Sequence, residues 1–162
     1  MTLVEKARVF AVAAHAQQTD KQGRNYFEHH LVPVAALARA LAVGSSQPLK
    51  VVDIAEALGY LHDVLEDSGD AEQTVEALRN AGLYPLLDHL RSLTHADDRS
   101  YASYIADVAA SAYVVTIVKL ADNLVNSSSL AALPDEDRTR LEAKYNAARG
   151  PLMDRYLDAI NR

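Results

Sequence analysis

The sequence predicts an all-α protein, a single-domain helical bundle, and three observations carry that prediction. Apolar residues recur at three- and four-residue spacing along most of the chain, which is the period of one helix face. The segments marked in this way are divided by short stretches containing Gly, Pro, Asn or Ser, with no linker long enough to separate two domains. Only Tyr113-Val114-Val115-Thr116-Ile117-Val118 has strand propensity without helical alternation. With 162 residues, 49% hydrophobic and 23% charged, the chain can bury one real core.

The elements follow in order. Leu3, Ala7, Phe10, Ala11 and Ala14 predict a first helix to about Gln18. Thr19 to Tyr26 is polar, contains Gly23 and Asn25, and reads as a loop. Leu31, Val34, Ala35, Ala38, Leu41 and Ala42 form a second amphipathic stripe ending at Gly44. A third helix is expected from Pro48 to Leu65. Glu72 to Asn80 and Leu86 to Leu93 are shorter helices separated by Ala81-Gly82 and Pro85. Tyr101 to Ala110 is a helix with Ser100 as its N-cap. Residues 113–118 fit either a buried strand or the centre of a buried helix, and the residues after them favour helix. The last helix, Pro134 to Ile160, repeats Leu141, Tyr145, Ala148, Leu152, Tyr156 and Ile160, with a break expected at Gly150-Pro151.

Composition excludes several classes of function. No run approaches eighteen apolar residues, so no membrane span is expected, and Glu5, Lys6 and Arg8 make the N-terminus unlike a signal peptide. A cytoplasmic location is the default. The chain has no cysteine, so any metal must rest on His and carboxylate ligands. A net charge of −6 without a long Lys/Arg cluster argues against nucleic acid as a partner. It leaves room for a small phosphorylated ligand held by a metal and a few local cations. The oligomeric state is left open.

The densest chemistry lies in Leu61-His62-Asp63-Val64-Leu65-Glu66-Asp67. On a helix Glu66 falls four residues beyond His62 and Asp67 four beyond Asp63, so each pair shares a side. One imidazole and three carboxylates repel themselves unless a cation sits among them, and a divalent metal is the simplest remedy. A solvated acidic helix end is the alternative. Downstream, Lys119, Asp122, Asn126 and Ser129 lie three, seven and ten residues apart, within about a quarter turn of a helical wheel. A narrow polar stripe on a buried helix needs partners inside the protein.

Three pieces, Tyr26-Phe27-Glu28-His29, the LHDVLED run, and Lys119-Leu120-Ala121-Asp122 with Asn126, occur in an order that resembles the HD superfamily of metal-dependent phosphohydrolases. More narrowly, the chain looks like the hydrolase domain of RelA/SpoT-type enzymes and small stand-alone bacterial HD proteins. His15, Gln18 and Gly23 also match, and the likeness runs from the first helix to about Leu130. The resemblance implies an HD-type helical bundle and one divalent metal. Mn²⁺ is the ion expected, with Fe²⁺, Co²⁺, Ni²⁺ or Zn²⁺ as alternatives. Carried over residue by residue, the ligands are His29, His62, Asp63 and Asp122, and the pair that activates the attacking water is Glu66 and Asp67. Two imidazoles with two carboxylates suit Mn²⁺ or Fe²⁺.

The implied reaction is the release of pyrophosphate from the 3′ position of guanosine bis(diphosphate), ppGpp. Lys21, Arg24 and Lys119 are the candidate phosphate contacts, and Tyr26, Asn126 and Ser129 complete the candidate substrate-binding set. The chain departs from the family pattern at Asp20, where an Arg that stacks on guanine is usual, at Asn25 in place of Pro, and at His30 in place of Pro. The loss of that Arg opens a second reading, an HD-type nucleotidase or (d)NTP phosphohydrolase. A third is a non-enzymatic, metal-stabilised interaction module. His15 is expected to hydrogen-bond in the core, and His30 to lie at the surface or behind the ligands. His89 and His95 are expected to be ordinary helix residues, and Asp97-Asp98 a loop or helix start.

Overall fold

A computed structural model describes residues 1–96 and 98–161. Asp97 lies outside the described residues. The described residues form eight α-helices: α1 (Leu3–Ala14), α2 (Val32–Gly44), α3 (Leu49–Leu61), α4 (Ala71–Asn80), α5 (Leu87–Leu93), α6 (Tyr101–Ala110), α7 (Tyr113–Ser128) and α8 (Asp135–Ile160). The described residues contain no strand, only an isolated antiparallel bridge between Thr19 and Asn25. No described helix is long and apolar enough to cross a membrane.

The ends of several helices are written in their caps. Thr2 and Glu5 form a capping box at the start of α1, and Asp70 accepts from the Gln73 amide at the start of α4. Ser100 accepts from the Ser103 amide and starts α6 where the sequence places it.

The bundle is organised around α7. Helices α2 and α3 pack against each other and both pack against α7, while α1 covers α3 and α8 closes over α6 and α7. Val115, Ile117, Val118 and Leu120 are fully buried. This decides the ambiguity of residues 113–118 in favour of helix. Each β-branched residue costs a few tenths of a kcal/mol in helix propensity, whereas burying each side chain contributes about 1.5–3 kcal/mol. Surrounded by helices, the segment has no polar face to show. Its one polar side chain there, Thr116, donates to the Val108 carbonyl at 3.1 Å.

Three other expectations change. Helix α1 stops at Ala14, four residues early, and Helix α3 ends at Leu61 rather than Leu65. Helix α8 runs unbroken through Gly150-Pro151. Pro151 is exposed, and the carbonyl that loses its donor belongs to Ala147, also exposed, so water can satisfy it. Helix α8 is also locked to α7 by Arg149, whose guanidinium donates to Asn123 Oδ1 at 3.2 Å and Ser127 Oγ at 2.6 Å.

Candidate active site

The end of α3 fixes the first ligand candidate. A Cβ on Gly59 would lie 2.5 Å from the Ala35 Cα, so only glycine lets α3 cross α2 this closely. The chain then tightens, with the Val64 amide bonding to the Leu61 carbonyl, and His62 turns back so that its Nδ1 lies 3.0 Å from the Gly59 carbonyl. A carbonyl only accepts, so Nδ1 carries the proton and Nε2 faces the site. That is the usual arrangement of a metal-binding imidazole.

The second imidazole is His30, which corrects the expectation for His29. The resemblance, carried over on the Tyr26-Phe27-Glu28-His29 stretch, implies His29 at this place. In the structure Phe27–Leu31 form a widened π turn, closed by the Val32 amide on the Phe27 carbonyl. Pro33 accounts for it: the residue has no amide hydrogen, and its ring would strike the carbonyl of His29 in a normal helix. The extra residue per turn brings His30 round to stack on Tyr26, with ring centroids 4.8 Å apart, and leaves His29 exposed at the cavity wall. His30 is buried, which also corrects its expected surface position. A sequence signal for this existed. His30 lies four residues before Val34 and eight before Ala38, in line with the buried stripe of α2.

Four donor groups now converge. His30 Nε2 and His62 Nε2 are 3.3 Å apart. Asp63 Oδ2 lies 3.5 Å from the former and 2.9 Å from the latter, and Asp122 Oδ1 lies 3.4 and 3.6 Å from them. Atoms sharing one ion through bonds of about 2.0–2.2 Å sit at such separations. His30, His62 and Asp122 form a buried group able to hold a metal ion, and Asp63 adjoins it. The donor set therefore fits a divalent metal.

The surroundings fix the two carboxylates. The Tyr26 hydroxyl donates to Asp63 Oδ2 at 2.5 Å. Asn126 Nδ2 donates to Asp122 Oδ1 at 2.5 Å, and Lys119 Nζ lies 2.9 Å from Asp122 Oδ2. Burial favours the neutral acid in both, but His62 beside Asp63 and Lys119 beside Asp122 outweigh it and keep both well below the ordinary carboxylate range. Burial likewise disfavours charge on His62, yet Asp63 and Asp122 raise its pKa to about 10. Lys119, buried but facing Asp122, is held well above its ordinary value. Tyr26 is driven upward by burial and then by Asp63, so its hydroxyl keeps its proton. Tyr26, Lys119 and Asn126, expected at the substrate, thus each hold a ligand candidate in place.

Beyond this group, Glu66 and Asp67 lie at the edge of a cavity of roughly 780 Å³, within the range of small-molecule sites. Glu66 Oε2 accepts from the His95 amide at 3.3 Å, and Asp67 Oδ2 accepts from Gln18 Nε2 at 2.8 Å. Lys21, Arg24 and Ser129 also line the cavity, so the candidate metal, catalytic and substrate residues all line it except His62, which lies buried beneath. Asp20, the departure from the family pattern, organises the loop. Its Oδ1 accepts from the amides of Gln22 and Arg24, its Oδ2 pairs with the Arg24 guanidinium, and Gly23 makes the turn at φ +75°.

The sequence missed several wall residues. His95, expected on a helix, follows α5 and packs its ring between Tyr101 and Tyr104. Lys144, on α8, sits 4.2 Å from the Tyr101 ring centre. Partial burial, and then the neighbouring cations Lys119 and Lys21, lower its pKa against the opposing pull of Glu66 and Asp122. No signal marked Lys144, one of many charges on an amphipathic helix.

No family model matches the chain. A probable guanosine-3′,5′-bis(diphosphate) 3′-pyrophosphohydrolase from Synechocystis is 32% identical over 160 residues, covering 94% of this chain and 20% of that protein. A GTP pyrophosphokinase from Brucella ovis is 31% identical with the same coverage. The chain thus spans about a fifth of the length of these curated relatives. Among solved structures, a metazoan ortholog of SpoT described as hydrolysing ppGpp superposes with a TM-score of 0.68 at 20% identity, covering 99% of this chain and 95% of that one. By sequence along nearly its whole length, and by fold, this chain is an HD-type domain related to those of the RelA/SpoT proteins.

Proposed function

We propose that the chain is a cytoplasmic, metal-dependent phosphohydrolase that removes the 3′-pyrophosphate of a ppGpp-like nucleotide. One observation carries the reading: two imidazoles and two carboxylates converge at a cavity whose wall also bears Lys21, Arg24, Lys119 and Lys144. The similarity to a probable 3′-pyrophosphohydrolase supports the same substrate. His30, His62, Asp63 and Asp122 would hold the ion, with Mn²⁺ or Fe²⁺ best suited to two nitrogen and two oxygen donors. When bound, it supplies charge stabilisation at a phosphate oxygen and a lowered pKa for water.

The chain's own groups do the rest. Lys21, Arg24 and Lys144 gather the phosphates, with Lys119 divided between them and Asp122. Glu66 and Asp67 each spend one carboxylate oxygen on a hydrogen bond, to the His95 amide and to Gln18, and offer the other to water. The pair orients that water and takes its proton as its oxygen bonds to phosphorus. The bond from phosphorus to the ribose 3′-oxygen breaks, that oxygen takes up a proton from solvent in place of the one left on the pair, and GDP and pyrophosphate leave. Two adjacent carboxylates share the proton, so the base is assigned to the pair.

Asp20 favours a second reading, an HD-type nucleotidase, because an anion stands where the family's guanine-stacking Arg would be. Assay of the purified, Mn²⁺-loaded protein against ppGpp, GTP and dNMPs separates the two. GDP with pyrophosphate is the expected product. Free phosphate or nucleoside supports the nucleotidase, and no turnover of any of them leaves the interaction module.

A further inference from the structure

Behind Asp67 lies a second polar chain that the proposed reaction does not yet use. Asp67 Oδ2 accepts from Gln18 Nε2 at 2.8 Å, and Gln18 Oε1 lies 2.5 Å from His15 Nδ1. Donors and acceptors can be assigned in only one way. A carboxylate accepts, so the Gln18 amide turns its NH₂ toward Asp67 and its oxygen toward His15. That oxygen accepts, so His15 Nδ1 bears the proton. His15 is 2% exposed, and its Nε2 has no hydrogen-bond partner among the described residues. A purely structural residue here would be apolar and leave no buried nitrogen without a partner. Among the described residues the imidazole's one hydrogen bond is to Gln18, and its Nδ1 lies 3.9 Å from Asp67 Oδ2.

From this geometry we infer that His15 and Gln18 are positioning residues for Asp67, with His15 setting the amide of Gln18 and Gln18 setting the carboxylate. The backbone supports the relay. The Gln18 amide bonds to the His15 carbonyl and its carbonyl accepts from the Tyr26 amide, so both residues are pinned where α1 gives way to the cavity loop. A flipped Gln18 would turn its oxygen on Asp67 and push the carboxylate away, but that flip would also face its NH₂ to a His15 N–H. The flip therefore demands the Nε2–H tautomer of His15, with Nδ1 as acceptor. Asp67, 36% exposed, is thereby held at one oxygen and free at the other.

The inference rests on the reading of Asp67 as a partner of the attacking water, and the test keeps the two apart. Gln18→Leu should lower kcat for ppGpp hydrolysis by about tenfold to a hundredfold, as misplacement of a reacting group does. KM should stay within about twofold, because the variant removes an interaction that matters in the transition state. Bound Mn²⁺ should be unchanged. Gln18→Glu, nearly isosteric but unable to donate to Asp67 when ionised, should show the same split. Added to Asp67→Asn, Gln18→Leu should cause no further loss, because residues acting through one group are not additive. A normal kcat in Gln18→Leu, or a loss that multiplies on Asp67→Asn, overturns the relay alone. A fully active Asp67→Asn overturns the role of Asp67 and the relay with it. Nitrogen-15 NMR of His15 reads the geometry without turnover: the Nδ1–H tautomer is expected, and the Nε2–H tautomer overturns the relay whatever the activity.

Discussion

His29 and His30 are adjacent in sequence and opposite in environment, one exposed and one buried against His62, Asp63 and Asp122. Their substitution therefore tests which of the two holds a metal. His30→Ala should lose bound Mn²⁺ in elemental analysis after gel filtration, and lose activity by roughly 10²-fold or more. His29→Ala should retain both the metal and most of the activity. The opposite pattern would restore His29 as the ligand that the resemblance implies. The same measurement tests the division of labour between ligands and acidic pair. Replacing Glu66 and Asp67 together by Gln and Asn keeps size while removing two charges and the proton acceptors. Metal content should stay near normal while turnover falls by roughly 10²-fold, as for loss of a general base. A metal-free double variant would make those carboxylates ligands.

At the scale of elements, the site depends on how closely α2 and α3 approach, since His30 lies in the turn leading into α2 and His62 caps the end of α3. Gly59→Ala would force a Cβ to within 2.5 Å of the Ala35 backbone, where no flexible side chain can yield. Overpacking of this kind costs about 1–3 kcal/mol, which in a chain of this size lowers Tm by about 3–10 °C. Because the helices must part at the site, metal retention should fall as well, and thermal melts with metal analysis measure both. An unchanged Tm would show that α2 shifts freely. Most helices were legible because an amphipathic stripe is a property of local spacing, as in α2, and a cap such as Ser100 is a property of one residue. The first half of α7, residues 113–118, stayed open between strand and helix, since burial on every side erases the stripe and leaves only β-branched propensity; only the residues after it favoured helix. The π turn was not legible, since it arises when Pro33 denies a hydrogen bond to the turn before it, a backbone effect that residue counting misses. The HD run was legible as chemistry but not as conformation, because the chain leaves the helix at Leu61, just before it.

At the scale of the whole molecule, the four ligand candidates come from three places: His30 from the turn before α2, His62 and Asp63 from the end of α3, and Asp122 from the middle of α7. An ion held by all four would cross-link the three helices that form the centre of the bundle. Within the protein the Asp63 and Asp122 carboxylates are balanced by His30, His62, Lys119 and hydrogen bonds. The unfolded chain does not bring these groups together, so binding belongs to the folded state and stabilises by mass action, about 2.7 kcal/mol at a hundredfold excess over Kd. For a chain of this size that raises Tm by about 5–10 °C. Chelator-treated protein titrated with Mn²⁺ and followed by calorimetry should show that rise. Asp122→Asn should remove most of the increment whatever its own starting Tm, because the comparison is made within each variant. A wild-type Tm that does not move at saturating metal would mean the three helices are held by packing alone, and would count against the centre as a metal site.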